Sequence, residues 1–147
     1  MKRLVLRTAV DGEMEQVFAG FDRSLFEFLL PPGAKLIRFD GSDTGDLVQL
    51  RLPIAGEWIS KITASHRDDQ QAYFIDEGVK LPIGLRDWTH KHTVYRDPRG
   101  SVIEDDIAFS SGNPVLDWLL YPVMYMAFAP RKGRYRAYFA KTRPADG

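Results

Sequence analysis

DWTHKHTVY (Asp87–Tyr95) and SVIEDDIAF (Ser101–Phe109), joined through Arg96 and the turn Asp97-Pro98-Arg99-Gly100, decide how this chain folds. Successive side chains of a strand point to opposite faces, so Trp88, His90, His92 and Val94 share one side. Ile103, Asp105, Ile107 and Phe109 likewise share one. Proline presets the second turn position and glycine suits the fourth, which closes an antiparallel hairpin with Arg96 opposite Ser101. Val94 then faces Ile103, His92 faces Asp105, His90 faces Ile107 and Trp88 faces Phe109. A one-residue shift through a bulge at Gly100 would set Lys91 beside Ile107, against the alternation. Two imidazoles and a carboxylate therefore point inward among apolar groups. Such groups cost stability unless they are hydrogen-bonded, or else they serve a site.

Outward from this hairpin the chain reads as more strands and a few helices. Lys2–Thr8 alternates, with Leu4, Leu6 and Thr8 on one side, as a half-buried first strand does. Asp11 is a candidate N-cap for a helical stretch carrying Met14, Val17, Phe18 and Phe21, and Leu25, Phe26 and Leu29 continue the spacing past Gly20. Two short helices are expected, ended by Pro31-Pro32-Gly33. From Ala34 to Phe109, turn clusters at Asp40–Asp46, Pro53–Gly56, Arg67–Gln70, Gly78–Gly84 and Asp97–Gly100 separate strands. Asn113 and Pro114 open a long C-terminal helix as cap and first residue. Its main stripe is Leu116, Leu120, Val123, Met124, Ala127, Arg131, Tyr135 and Tyr138, with kinks or a break expected at Pro122 and Pro130. One strand, two short helices, about six strands and a terminal helix make an α+β layout whose antiparallel sheet must curve over the last helix.

The 147 residues suit one domain, spanning residues 1–147, large enough for a core with a cavity in it. Lysine plus arginine and aspartate plus glutamate number 20 each, so no global field draws the chain to nucleic acid. Without cysteine there is no disulfide, thiol nucleophile or thiolate metal site. Leu4-Val5-Leu6 stops at Arg7, short of a secretory segment, and a cytoplasmic protein is expected. Val115–Pro130 contains Asp117 and two prolines and falls below the roughly 20 residues of a membrane span.

The order of elements and three stretches, PIGLRDWTHKH, IEDDIAF and the helix ending FAPR, resemble the START-like, or SRPBCC, superfamily. The stretches carry the resemblance through Trp88 and His90, Asp105 and Phe109, and Phe128 and Arg131, with Pro130 where a tyrosine is usual. The resemblance implies a helix-grip fold, a curved sheet of seven strands wrapped around a long C-terminal helix. It also implies a cavity between sheet and helix for a hydrophobic small molecule such as a lipid, quinone or polyketide. Some members are cyclases, and no fixed catalytic set spans them, so activity stays open.

Within that frame, Trp58, Ile62, Trp88, Phe109, Leu120, Met124 and Phe128 are candidates to line a pocket, or are ordinary core. His90, His92 and Asp105 either anchor a ligand's polar end or are satisfied core groups that set register. A His92–Asp105 pair would raise the basicity of the imidazole, as a cyclase or isomerase would require. Two histidines at i, i+2 can share a metal, but spacing secures no third ligand from Asp105 or His66, and no metal is expected. No phosphate-cradling glycine loop or metalloprotease helix is present, GSDTG at Gly41–Gly45 is a turn, and no cofactor is expected. Trp118, Tyr121 and Tyr125, roughly opposite the main stripe, are candidates for a homodimer or membrane-surface contact, unless kinks return them to the sheet. Arg131, Lys132, Arg134, Arg136, Lys141 and Arg143 make the C-terminal end basic, through dipole complementarity or as a headgroup site.

Overall fold

In the computed structural model, which describes residues 1–140, the hairpin of β6 (Asp87–Asp97) and β7 (Gly100–Ser110) stands in the expected register. Arg96 faces Ser101, Val94 faces Ile103, His92 faces Asp105, His90 faces Ile107 and Trp88 faces Phe109. β1 (Lys2–Val10) adds to the outer edge of β7, with Leu4 opposite Ile107 and Thr8 opposite Ile103. On the other side follow β5 (Gln71–Lys80), β4 (Gly56–Arg67), β3 (Leu47–Leu52) and β2 (Lys35–Phe39). All seven strands form one antiparallel sheet in the order β1-β7-β6-β5-β4-β3-β2. Bulges between Ile59 and Ser60 and between Ile62 and Ala64 interrupt the β4–β5 ladder, where extra twist bends the sheet toward the helices.

Between β1 and β2 lie two short helices, α1 (Met14–Ala19) and α2 (Arg23–Leu29). Asp11 does not cap α1. β1 runs on to Val10, Gly12 turns the chain at φ 103°, and the helix starts two residues later, after Glu13, with no side-chain cap. Asp22 does cap α2, accepting from the Leu25 amide at 3.1 Å. The C-terminal helix is two helices, α3 (Pro114–Phe128) and α4 (Arg131–Ala140). Asn113 caps α3 through the amides of Val115 and Leu116. Pro122 lies inside α3 without ending it, whereas the helix stops at Ala129-Pro130, where proline has no amide to offer the Met126 carbonyl.

The break divides the interior. α4 packs Tyr135 and Phe139, both fully buried, against Met14, Val17, Phe21, Leu25, Ile62, Phe74, Val94 and Ile103. That cluster is closed. Under α3, only Leu4, Leu6, Trp88, Ile107 and Phe109 are buried, and Trp58, Leu81, Leu85, Leu120, Tyr121, Met124 and Phe128 close over them in part. α3 has a single buried residue, and it is Asp117. Its carboxylate accepts from the Ser111 amide and hydroxyl, both at 2.6 Å, and so tethers the start of the helix.

Gly100 fixes the hairpin to β1. Its φ is +151°, and a Cβ there would overlap the carbonyl oxygen of Val10. Gly100→Ala is expected to lower unfolding free energy by about 2 kcal/mol or more, read as a lower urea midpoint at unchanged slope. Asn113→Ala, which removes only the α3 cap, should cost about 1 kcal/mol in the same measurement.

Candidate functional site

The inward faces of β5, β6 and β7 place Asp76, His90, His92 and Asp105 in one layer between the closed and the half-closed halves of the core. His90 and His92 are 3% and 2% exposed and Asp105 is 2% exposed. The two imidazoles stack face to face, with centroids 3.6 Å apart. Each histidine bonds diagonally to a carboxylate. His90 Nε2 lies 2.8 Å from Asp105 Oδ1, and His92 Nε2 lies 2.7 Å from Asp76 Oδ2. Trp88 Nε1 donates to the other oxygen of Asp76 at 3.2 Å, and the Tyr135 hydroxyl of α4 donates to Asp105 Oδ1 at 3.2 Å. Arg131, at the first position of α4, brings Nη1 to 3.6 Å from the same Asp105 oxygen and lays its guanidinium over Phe128 at 4.7 Å.

This corrects the expected His92–Asp105 pair. The two residues face each other in the ladder, but His92 Nδ1 stands 3.7 Å from Asp105 Oδ1, beyond hydrogen-bonding range, because the ring tips toward Asp76. Nor is the imidazole made more basic. Burial, then the neighbouring His90, push His92 down to about 4, more than Asp76 and Asp105 raise it. Burial pushes Asp105 up, yet bonds and charges from His90, Arg131 and His92 bring it to about 2. Burial likewise acts against ionised Asp76, and His92, His90 and Trp88 outweigh it, leaving it below the usual carboxylate range. An ionised Asp76 beside a neutral His92 places the shared proton on Nε2. His92 Nδ1 is then a buried lone pair without a hydrogen-bond partner, and Arg131 Nη1 is a buried donor without one.

Asp76 is the member that sequence reasoning missed. It follows Ala72 and Phe74 on the inward face of β5, and its ladder partner is His90. The signal was the same alternation in QAYFID, obscured because β5 carries no turn chemistry as distinctive as that of the β6–β7 hairpin. Trp58, Trp88, Phe109, Leu120, Met124 and Phe128 do come together under α3, while Ile62 belongs to the other cluster, beneath α4. Tyr121 turns inward, whereas Trp118 and Tyr125 stay exposed; Leu116 and Val123, expected inward, are exposed too. The helix is rotated so that Asp117, Leu120, Tyr121, Met124 and Phe128 face the sheet. Of the basic C-terminal residues, Arg134 donates to the Phe28 and Leu30 carbonyls at the end of α2, and Lys141 and Arg143 lie outside the described residues. A hollow of about 380 Å³ lies at the opposite end of the sheet, between the β6–β7 turn, the end of β1 and Arg136.

Asp76, His90 and His92 offer ligand atoms within 4.8 Å of one another. Near-parallel stacked rings, inclined by only 26°, aim their in-plane lone pairs side by side, so a shared ion would require one ring to turn. His66 is remote from the group, bonded at the surface to Asp68 at 2.7 Å.

The buried layer sets a pH dependence whose sign is fixed. His92 takes a proton near 6.5 when unfolded and near 4 when folded, so the unfolded chain binds more protons between these values. Stability therefore falls as pH drops from about 6.5 to about 4, by on the order of 3 kcal/mol from this group. Asp76 and Asp105, both lowered on folding, add their loss below the ordinary carboxylate range. His92→Phe is expected to flatten the slope of unfolding free energy against pH between 4.5 and 6.5, measured by urea titration.

No known family profile matches the chain, and no curated protein does. Solved structures do. A point mutant of norcoclaurine synthase from Thalictrum flavum, in complex with a transition-state analogue, superposes with a TM-score of 0.72 at 13% identity, covering 97% of this chain and 96% of that one. The protein XoxI from Bacillus cereus gives 0.70 at 18% identity, over 95% and 96% of the two chains. Ara h 8.0201 gives 0.62 at 13% identity, over 95% and 98%. At these identities the likeness is one of architecture. The chain has a helix-grip fold, a seven-stranded antiparallel sheet packed against C-terminal helices.

Proposed function

We propose that the partly covered apolar cluster under α3 takes up an apolar small molecule bearing one hydroxyl, and that the hydroxyl reaches Arg131 and His92. The observation that carries this reading is a pair of buried atoms without hydrogen-bond partners in the polar layer between the two clusters, one on His92, which packs on Phe74, the other on Arg131, which lies over Phe128. Arg131 Nη1 and His92 Nδ1 lie 3.6 and 3.7 Å from the same oxygen, Asp105 Oδ1. Arg131 can only donate and a neutral His92 Nδ1 can only accept. A hydroxyl does both. An unpaired buried donor and acceptor each cost free energy, so a group that satisfies both binds with that cost recovered. The rest of the molecule would rest on Trp58, Trp88, Leu120, Met124 and Phe128, which are apolar and, apart from Trp88, only half-covered.

Entry follows from the helices. α3 is tethered at Asp117 and breaks after Phe128, whose ring stands 5.7 Å from both Trp88 and His90. Turning the Phe128 side chain aside would open the mouth of the polar layer. A cyclase or isomerase would instead need His92 as base. Its value of about 4 leaves it a weak proton acceptor at neutral pH, which favours holding a ligand over turning one over.

The probe pair 2-naphthol and 2-methoxynaphthalene separates the polar anchor from apolar burial. By titration calorimetry, naphthol is expected to bind about tenfold or more tightly than the ether, which cannot donate to His92. His92→Phe, which removes the acceptor, should erase the difference while leaving weak binding of both. Equal affinities in the native protein would sink the hydroxyl anchor.

A further inference from the structure

The end of the sheet from which α3 starts carries large apolar side chains on three separate elements. Gly56 pairs with Leu52, Lys80 with Ile59, Ser110 with Asp87 and Lys2 with Phe109. The β3–β4 turn, the β5–β6 loop, the N-terminus and the first turns of α3 therefore leave the sheet together. Ile54 at the tip of the first is 103% exposed and Ile83 in the second is 92% exposed. Trp118 and Leu119 on α3 are 70% and 65% exposed.

Ile54 is the feature least explained by folding. It has φ 67°, and among the described residues it alone has positive φ without being glycine. A β-branched residue is poorly suited to that conformation, and turns with positive φ favour glycine or asparagine. Fully exposed, its side chain gives the fold nothing in return. Strain kept at an exposed tip points to a partner.

Charge says which partner. Lys2, Lys35, Arg51, Lys80 and Arg86 flank the apolar tips, against Glu57 and Asp87 and the buried, hydrogen-bonded Asp117. Lys80 and Arg51 reach Glu57 at 2.9 and 4.0 Å, and Lys2 sits 3.8 Å over the Trp118 ring. The opposite turns, β2–β3, β4–β5 and β6–β7, carry Asp40, Asp43, Asp46, Asp68, Asp69 and Asp97 against Arg38, Arg67, Arg96 and Arg99, a balance that leans acidic. A chain of zero net charge thus has a basic apolar end and an acidic far end, which orients it toward an anionic surface. Single side chains that protrude from separate turns, with a tryptophan and lysines around them, fit between lipid headgroups.

We infer that this end docks on anionic bilayers, with Ile54, Ile83, Trp118 and Leu119 inserted among the headgroups. The surface stands whether or not the cluster under α3 takes up a ligand. Flotation with vesicles of phosphatidylcholine, with and without about one-third phosphatidylglycerol, tests it. Expected are binding to the anionic vesicles only, a blue shift of tryptophan emission that Trp118→Phe removes, and about tenfold weaker binding for each of Ile54→Asn and Ile83→Ser. Ile54→Asn should also raise the thermal midpoint, because asparagine tolerates the turn. That combination separates a docking role from a structural one. Absent binding at low salt, or binding unchanged in the double variant, overturns the proposal. So does a concentration-dependent dimer in sedimentation that the double variant loses, which would give the surface to a second copy.

Discussion

The structure depends on two diagonal imidazole–carboxylate bonds, His92 to Asp76 and His90 to Asp105, made across three neighbouring strands in a nearly dry layer. Removing such groups from water costs several kcal/mol per ion, offset here by the two pairs and by the bonds from Trp88 and Tyr135, with His92 Nδ1 left over. The register of β5, β6 and β7 is what permits that. A slip of one residue would turn the displaced strand's members to the wet face, and a slip of two would separate the diagonals. The polar layer thus acts against misregister more than it adds stability. It also limits where α4 can sit, because Tyr135 must reach Asp105 while Phe139 fills the cluster beyond it.

That limit explains why the two halves of the interior differ. α4 is held by buried aromatics, a hydroxyl bond and Arg134 on the carbonyls ending α2. α3 is held at its start by Asp117 and along its length by half-covered side chains. Its apolar residues cannot all be inward, since the helix is apolar on every side and the sheet presents one. The surplus is exposed at Val115, Trp118, Leu119, Val123 and Met126. A helix joined by a proline break to a firmly seated one, and itself loosely seated, belongs to the low-stability part of the fold.

Much of this was legible in the sequence, for physical reasons that also mark the boundary. Alternation and turn chemistry are local, so the β6–β7 register, the two short helices and the Asn113 cap could be read directly. The hydrogen bonds were not, because cross-strand position names the residue opposite and not the one a tilted ring reaches. His92 faces Asp105 yet bonds Asp76 on the far neighbour. The rotation of α3 was also hidden. A helix with two apolar faces gives no stripe to choose between, and the choice fell to Asp117, whose bonds to Ser111 pull that face inward. Ile54 looked like an ordinary turn residue, since sequence does not report φ.

The break at Ala129-Pro130 sets Phe128 and Arg131 on either side of it. Phe128 ends α3 and Arg131 begins α4, and the guanidinium stacks on the phenyl ring at 4.7 Å. The same arginine faces Asp105 on its other side at 3.6 Å. Turning Phe128 aside removes the ring from one face of the guanidinium and admits water to its unpartnered Nη1. Charge–charge attraction to Asp105 weakens as the local dielectric rises. With Phe128 in place, water is kept from Arg131 and its attraction to Asp105 is the stronger for it. Apolar contact at the mouth and polar contact at the floor are therefore coupled through two adjacent turns of helix, so a molecule long enough to touch both would hold Phe128 in place.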